Sequence, residues 1–168
     1  SGVMRLGLLA TAAIVVTYRL YRRSNDGLTP SVMLLTASLG TGAVALIGFS
    51  ASISQTAFAL AAAAGGFMLW NWPGVRFVFG SAALFCGAGM LTALVGQMAF
   101  FTLAPVETLS FLLLIFYSDI IAKRIPLGGG GVSDALRPVV LGLICMVPVV
   151  VSVALAYLSS VGEDGYPG

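Results

Sequence analysis

From Ser31 to Trp72 the chain carries no Asp, Glu, Lys or Arg. A helix that crosses a bilayer needs roughly 20 predominantly apolar residues, so this one stretch has room for two crossings. The rest of the sequence follows suit: 59% of the 168 residues are hydrophobic and 8% are charged, where an ordinary soluble domain carries about 25% charged residues. A folded domain of this size leaves a large share of its surface exposed, and this chain lacks the polar groups to cover such a surface in water. The expected fold is all-α, a polytopic integral membrane helix bundle of about six transmembrane helices, with five as the alternative. The whole chain, 1–168, forms a single transmembrane domain.

Charges and turn residues divide it into spans at about 3–21, 31–50, 54–72, 75–103, 106–122 and 137–159. Arg5 and Arg19 reach toward opposite headgroup layers from the first span. A polar turn from Arg22 to Pro30 separates it from the second, and small polar residues at 50–55 mark a turn before the third. Trp70-Asn71-Trp72-Pro73-Gly74 reads as an interfacial boundary, because indoles favour the headgroup layer and Pro-Gly interrupts a helix. Pro105 ends the fourth span. Residues 125–136, with glycines at 128–131, read as a loop without helical periodicity, which would put Pro138 in the first turn of the sixth span and make Pro148 a kink. Six spans place Arg19, Arg22, Arg23, Arg76, Lys123, Arg124 and Arg137 on one side and Arg5 alone on the other. Basic loops stay cytoplasmic, so both termini are expected outside, in what is best read as the cell (inner) membrane. The first span lacks the layout of a secretory signal peptide, and because the chain opens on Ser1, with Met4 its first methionine, a missing upstream segment would shift this parity.

Histidine is absent, which removes His-ligated haem, His-based metal sites and any Ser-His or Cys-His catalytic pair. Cys86 and Cys145 lie far apart in apolar runs and read as small packing residues, not as a disulfide or metal site. A net charge of +2 does not point to nucleic acid. No metal, no cofactor and no enzymatic chemistry are expected. Residues 119–126 resemble the Asp-x4-Arg-Ile-Pro signature of prepilin peptidases, but those enzymes need a second aspartate in a Gly-x-Gly-Asp setting, and Asp134 does not stand in one.

Small residues recur four apart, as in Thr36/Gly40, Ser38/Gly42, Ala83/Gly87 and Thr92/Gly96. In lipid, such spacing lets helix backbones approach closely. Gly40, Gly42, Gly87 and Gly96 are therefore candidate packing positions, and spans two and four are expected to be the inner ones. Gln97, the most polar side chain near the core of span four, should face another helix or a wet cavity and is the candidate substrate contact. Asp119 and Lys123, four apart, form an interfacial ion pair or a gate. Glu107, in the first turn of span five, complements the helix dipole.

The run Leu8 to Arg23, the Trp70-Asn71-Trp72-Pro73 boundary, 80–89 and 96–105 together resemble one half of a drug/metabolite transporter of the EamA-like kind. The resemblance covers about half of the chain and implies an all-helical carrier of small metabolites, with a cavity between halves. Such a half has five spans and would place the Lys123/Arg124 loop outside, two departures from the pattern here. No predicted span carries an ionisable group at its middle, whereas proton- or sodium-coupled pumps use one. The expected function is a small-solute transporter or channel-like protein without its own coupling carboxylate, and the alternative is a non-catalytic subunit or scaffold of a larger membrane complex. Its partners are the lipid bilayer and either copies of itself, as a homo-oligomer, or other membrane subunits.

Overall fold

The computed structural model describes residues 2–22, 27–47, 50–72, 76–101, 114–118 and 131–163. These residues form five α-helices and one short 3-10 turn: α1 (Gly2–Arg22), α2 (Thr29–Leu46), α3 (Ala51–Trp70), α4 (Ser81–Phe101), the turn Leu114–Tyr117, and α5 (Gly131–Glu163). Among the described residues there is no strand.

Four of the helices, α2 to α5, contain stretches long and apolar enough to cross a membrane. This fits an integral membrane helix bundle, but the count among the described residues is four and not the six expected. The expected span 3–21 is the helix α1, which is not one of the four. The expected span 106–122, with Glu107, Asp119 and Lys123, falls outside the described residues apart from 114–118, where the chain forms a 3-10 turn.

Other boundaries move for local reasons. The third helix starts at Ala51, ahead of position 54. Ser50 takes an extended backbone and its hydroxyl accepts a hydrogen bond from the Ile53 amide at 3.4 Å, so the small polar residues at 51–55 form the first turn of the helix and not a loop. The fourth helix begins only at Ser81, because residues 76–80 run on as an irregular connection. The fifth starts at Gly131, inside the stretch expected to be a glycine loop, and it encloses both Pro138 and Pro148. Pro138 thus lies beyond the first turn. Helices in bilayers tolerate internal proline where neighbouring groups satisfy the freed carbonyls.

Packing sets α2 at the centre. In α2, 72% of the membrane-length window is buried, against 28–39% for the other three. α2 packs on α3, α5, α4 and the 3-10 turn, while α1 leans on α4. The expectation of two inner helices thus holds for the second span, whereas the fourth, with 39% of its window buried, ranks next but stands close to the outer helices. α2 and α3 run antiparallel: Gly42 faces Phe58 and Gly65 faces Leu35. Val16 and Leu20 of α1, Val32 and Met33 of α2, Leu84 and Met98 of α4 and Cys145 of α5 belong to one buried apolar cluster.

One end of the bundle gathers the basic residues. Tyr21 of α1 meets Phe85 of α4 with ring centroids 6.3 Å apart, and Phe67 of α3 meets Phe79 edge-on at 5.0 Å. Gly142 of α5 lies 3.8 Å from the Val32 side chain, measured from an added Cβ. The C-termini of α1 and α3 and the N-termini of α2, α4 and α5 therefore share this end, together with Arg19, Arg22 and Arg76. Trp70 and Trp72 are exposed here, as an interfacial aromatic belt requires.

Candidate functional site

The central helix carries more polar side chains than an apolar core ordinarily buries. Ser31, Thr36, Ser38 and Thr41 are all buried, and each hydroxyl turns back on its own helix. Ser31 donates to the Leu28 carbonyl at 2.8 Å, Thr36 to Val32 at 2.9 Å, Ser38 to Leu34 at 2.7 Å and Thr41 to Ala37 at 2.8 Å. Such bonds satisfy a hydroxyl in a dry interior without a partner helix. They leave α2 a narrow apolar-surfaced rod, which is what close approach by α3 and α4 needs. Ser54 of α3 differs: its oxygen is buried and, among the described residues, has no hydrogen-bond partner. It lies one turn before Phe58, on the buried stripe of α3 that also includes Ala57, Ala61 and Ala64.

The four candidate packing glycines separate in the structure. A Cβ at Gly42 would stand 2.8 Å from the Phe58 ring, and one at Gly87 would collide with the Leu34 side chain. These two positions are where α3 and α4 close on α2. Gly40 is buried in α2. A Cβ at Gly96 would meet nothing within 4 Å, so this glycine admits no neighbour from the described residues.

Gln97 is exposed on α4, four residues before the helix ends at Phe101. At 1.5 Å per residue that is about 6 Å from the terminus, because α4 starts late and its middle falls near Met90. The amide therefore stands toward the end of the bundle opposite the arginines, exposed and, among the described residues, not packed against a neighbouring helix. Asp119 and Lys123 lie outside the described residues. Arg19 is half-buried, with its guanidinium carbon 3.9 Å from the centroid of the Tyr117 ring, a cation–π contact that ties the 3-10 turn to α1.

Two residues matter more than their sequence signal suggested. Asn71, fully buried, caps α3 and closes the following turn. Its Nδ2 donates to the Phe67 carbonyl at 3.0 Å, and its Oδ1 accepts from the amides of Arg76 at 3.0 Å and Phe77 at 2.7 Å. The Asn-between-tryptophans position signalled a boundary, but nothing in it indicated a buried three-bond hub. Cys145 is fully buried, its thiol 3.8 Å from the Ile115 carbonyl. Cys86 is exposed, contrary to the packing role expected for both thiols, since an apolar run in a membrane helix is as compatible with a lipid-facing side chain as with a core one.

No family model, curated protein or solved structure matches this chain.

Proposed function

We propose that the chain is a non-catalytic membrane subunit, a multi-pass helical scaffold that holds a partner polypeptide in the bilayer. The disposition of its polar groups carries this reading. The hydroxyls of the central helix are bonded to their own carbonyls and have little to offer a passing solute, while the Gln97 amide is exposed on the outside of an apolar helix. An amide there gains most from a polar group on a neighbouring helix.

The same reading takes the bundle to six passes. α4 starts at the basic end and runs away from it, so Phe101 ends at the opposite side, yet Tyr117 sits under Arg19 near the basic end. The two passes beyond α2 to α5 are then the expected span 106–122, which lies outside the described residues apart from 114–118, and α1, 21 residues long. Both termini then lie on the face away from the arginines, which the positive-inside bias assigns to the outside of a cell (inner) membrane.

The test is a photo-crosslinking amino acid placed at position 97 in the native membrane. One discrete adduct with another polypeptide is expected. Adducts with lipid alone would overturn the reading.

Ser54 favours a second reading, the small-solute transporter that the EamA-like resemblance implies. A buried hydroxyl without a partner, on the stripe of α3 that packs against α2, is a group a small polar solute would engage. Saturable uptake in proteoliposomes, lost in Gln97→Ala or Ser54→Ala, supports this reading, and uptake no faster than in empty liposomes refutes it. Self-crosslinks from position 97 would favour it too, since sites in such proteins form between repeats or subunits.

A further inference from the structure

A groove of about 430 Å³ runs along the outer side of α1, lined by Ala13, Ile14, Thr17, Tyr18 and Tyr21 and closed on the α4 side by Phe85. The α1 positions repeat at helical spacing, so they form one continuous face. Ile14 and Tyr18 are a turn apart on that face, and the next residue in their row is Arg22. Its guanidinium carbon lies 5.9 Å from the centroid of the Tyr18 ring, and Arg22 is exposed. The groove is thus apolar along its length and cationic at one end.

The depth of that end follows from the membrane pass proposed above for α1. α1 has 21 residues and is about 31 Å long, close to the roughly 30 Å of bilayer hydrocarbon. Its last turn therefore reaches the headgroup layer, where the exposed Tyr18 and Tyr21 rings are also at home. The charge of this corner is lopsided: residues 19–26 contain Arg19, Arg22 and Arg23 against the single acid Asp26. Arg19 faces the Tyr117 ring, while Arg22 stands beside the Tyr18 ring at the end of the groove.

We infer that this groove holds one acyl chain of an anionic phospholipid, with the lipid phosphate paired to Arg22. The apolar wall takes the chain, the Tyr21–Phe85 aromatic contact forms the floor near the headgroup, and the guanidinium selects net-negative lipid over zwitterionic lipid. The observations favour lipid over a second protein helix because the cationic group of this face lies at headgroup depth, with Ala13, Ile14 and Thr17 below it and no charge among them. This inference rests on the membrane pass proposed for α1 but not on the subunit role.

The experiment is native mass spectrometry of the full chain in mild detergent, titrated with phosphatidylglycerol or phosphatidylcholine of identical acyl chains. A single phosphatidylglycerol adduct is expected to bind in preference to phosphatidylcholine. One arginine near a membrane surface accounts for about a fivefold change in affinity for anionic lipid. Arg22→Gln should therefore weaken phosphatidylglycerol binding by about fivefold with phosphatidylcholine unchanged, and Arg22→Lys should restore most of it. Ala13→Phe, which fills the groove, should weaken both lipids. Ile14→Ala, at an exposed position that does not threaten folding, should weaken both to a smaller degree. Arg76→Gln, at the same end of the bundle but outside the groove, should change nothing. Equal losses in Arg22→Gln and Arg76→Gln would show general surface electrostatics and overturn the inference. So would full phosphatidylglycerol binding in both Ala13→Phe and Ile14→Ala, or a dimer that excludes the lipid.

Discussion

Gly42→Ala probes the contact on which the central placement of α2 depends. The added methyl would stand 2.8 and 2.9 Å from two carbons of the Phe58 ring, whereas carbon atoms rest at about 3.5 Å or more. The ring must therefore retreat by about 0.7 Å, inside an interface that runs the length of α2 and α3. Overpacking of this kind costs about 1–3 kcal/mol, and alanine returns about 1 kcal/mol of helix propensity. The net effect is a loss of about 0–2 kcal/mol. Gly96→Ala is the matched control: its methyl meets nothing within 4 Å, so it keeps the propensity gain alone. For a chain of this size each kcal/mol moves Tm by about 2–4 °C. A thermal scan in mild detergent, followed by tryptophan fluorescence, should place Gly42→Ala about 2–12 °C below Gly96→Ala. Adding Phe58→Leu to Gly42→Ala should recover part of the difference, a coupling of about 1 kcal/mol or more in a double-mutant cycle. If Gly42→Ala raised Tm as much as Gly96→Ala does, the close approach of α2 and α3 at this point would be refuted.

Three further predictions address single side chains. Asn71→Ala should cost about 2–4 kcal/mol, because it removes three hydrogen bonds made by a fully buried side chain, from the amides of Arg76 and Phe77 and to the Phe67 carbonyl; a Tm drop no larger than that of Gly42→Ala would contradict the hub role. Ser54→Ala should be neutral or stabilising by up to about 1–2 kcal/mol, since the hydroxyl it deletes has no partner among the described residues, and a clear loss of Tm would show that the hydroxyl is bonded. In native detergent-solubilised protein, N-ethylmaleimide should label Cys86 and spare Cys145, with two labels appearing only after denaturation; rapid double labelling of the folded chain would contradict the burial of Cys145.

The membrane class and the positions of most helices were legible in the sequence, because uncharged length is a strong signal when water must be excluded. Helix ends were less so. Ser50 and the small residues after it were read together as a turn, when one capping hydroxyl sufficed and the rest joined α3. The glycines near 131 suggested a loop, yet the helix begins there and runs through Pro138, since neighbouring packing overrides local propensity. The four-residue spacing of small residues marked Gly42, Gly87 and Gly96 alike, but among the described residues only the first two meet another helix. Spacing states that a flat face exists and not what lies against it. The same ambiguity hid the exposure of Gln97 and Cys86, because lipid and protein interior are equally apolar solvents for a helix. Nothing in the sequence distinguished the buried amide of Asn71 from a solvated boundary residue, nor the α1 groove from any other lipid-facing surface.

The central claim, a scaffold that serves other polypeptides, is tested most directly by native mass spectrometry of the chain released gently from its own membrane. The account predicts a fixed stoichiometry with at least one different polypeptide, weakened by Gln97→Leu. A chain that flies only as monomer or as copies of itself would contradict it.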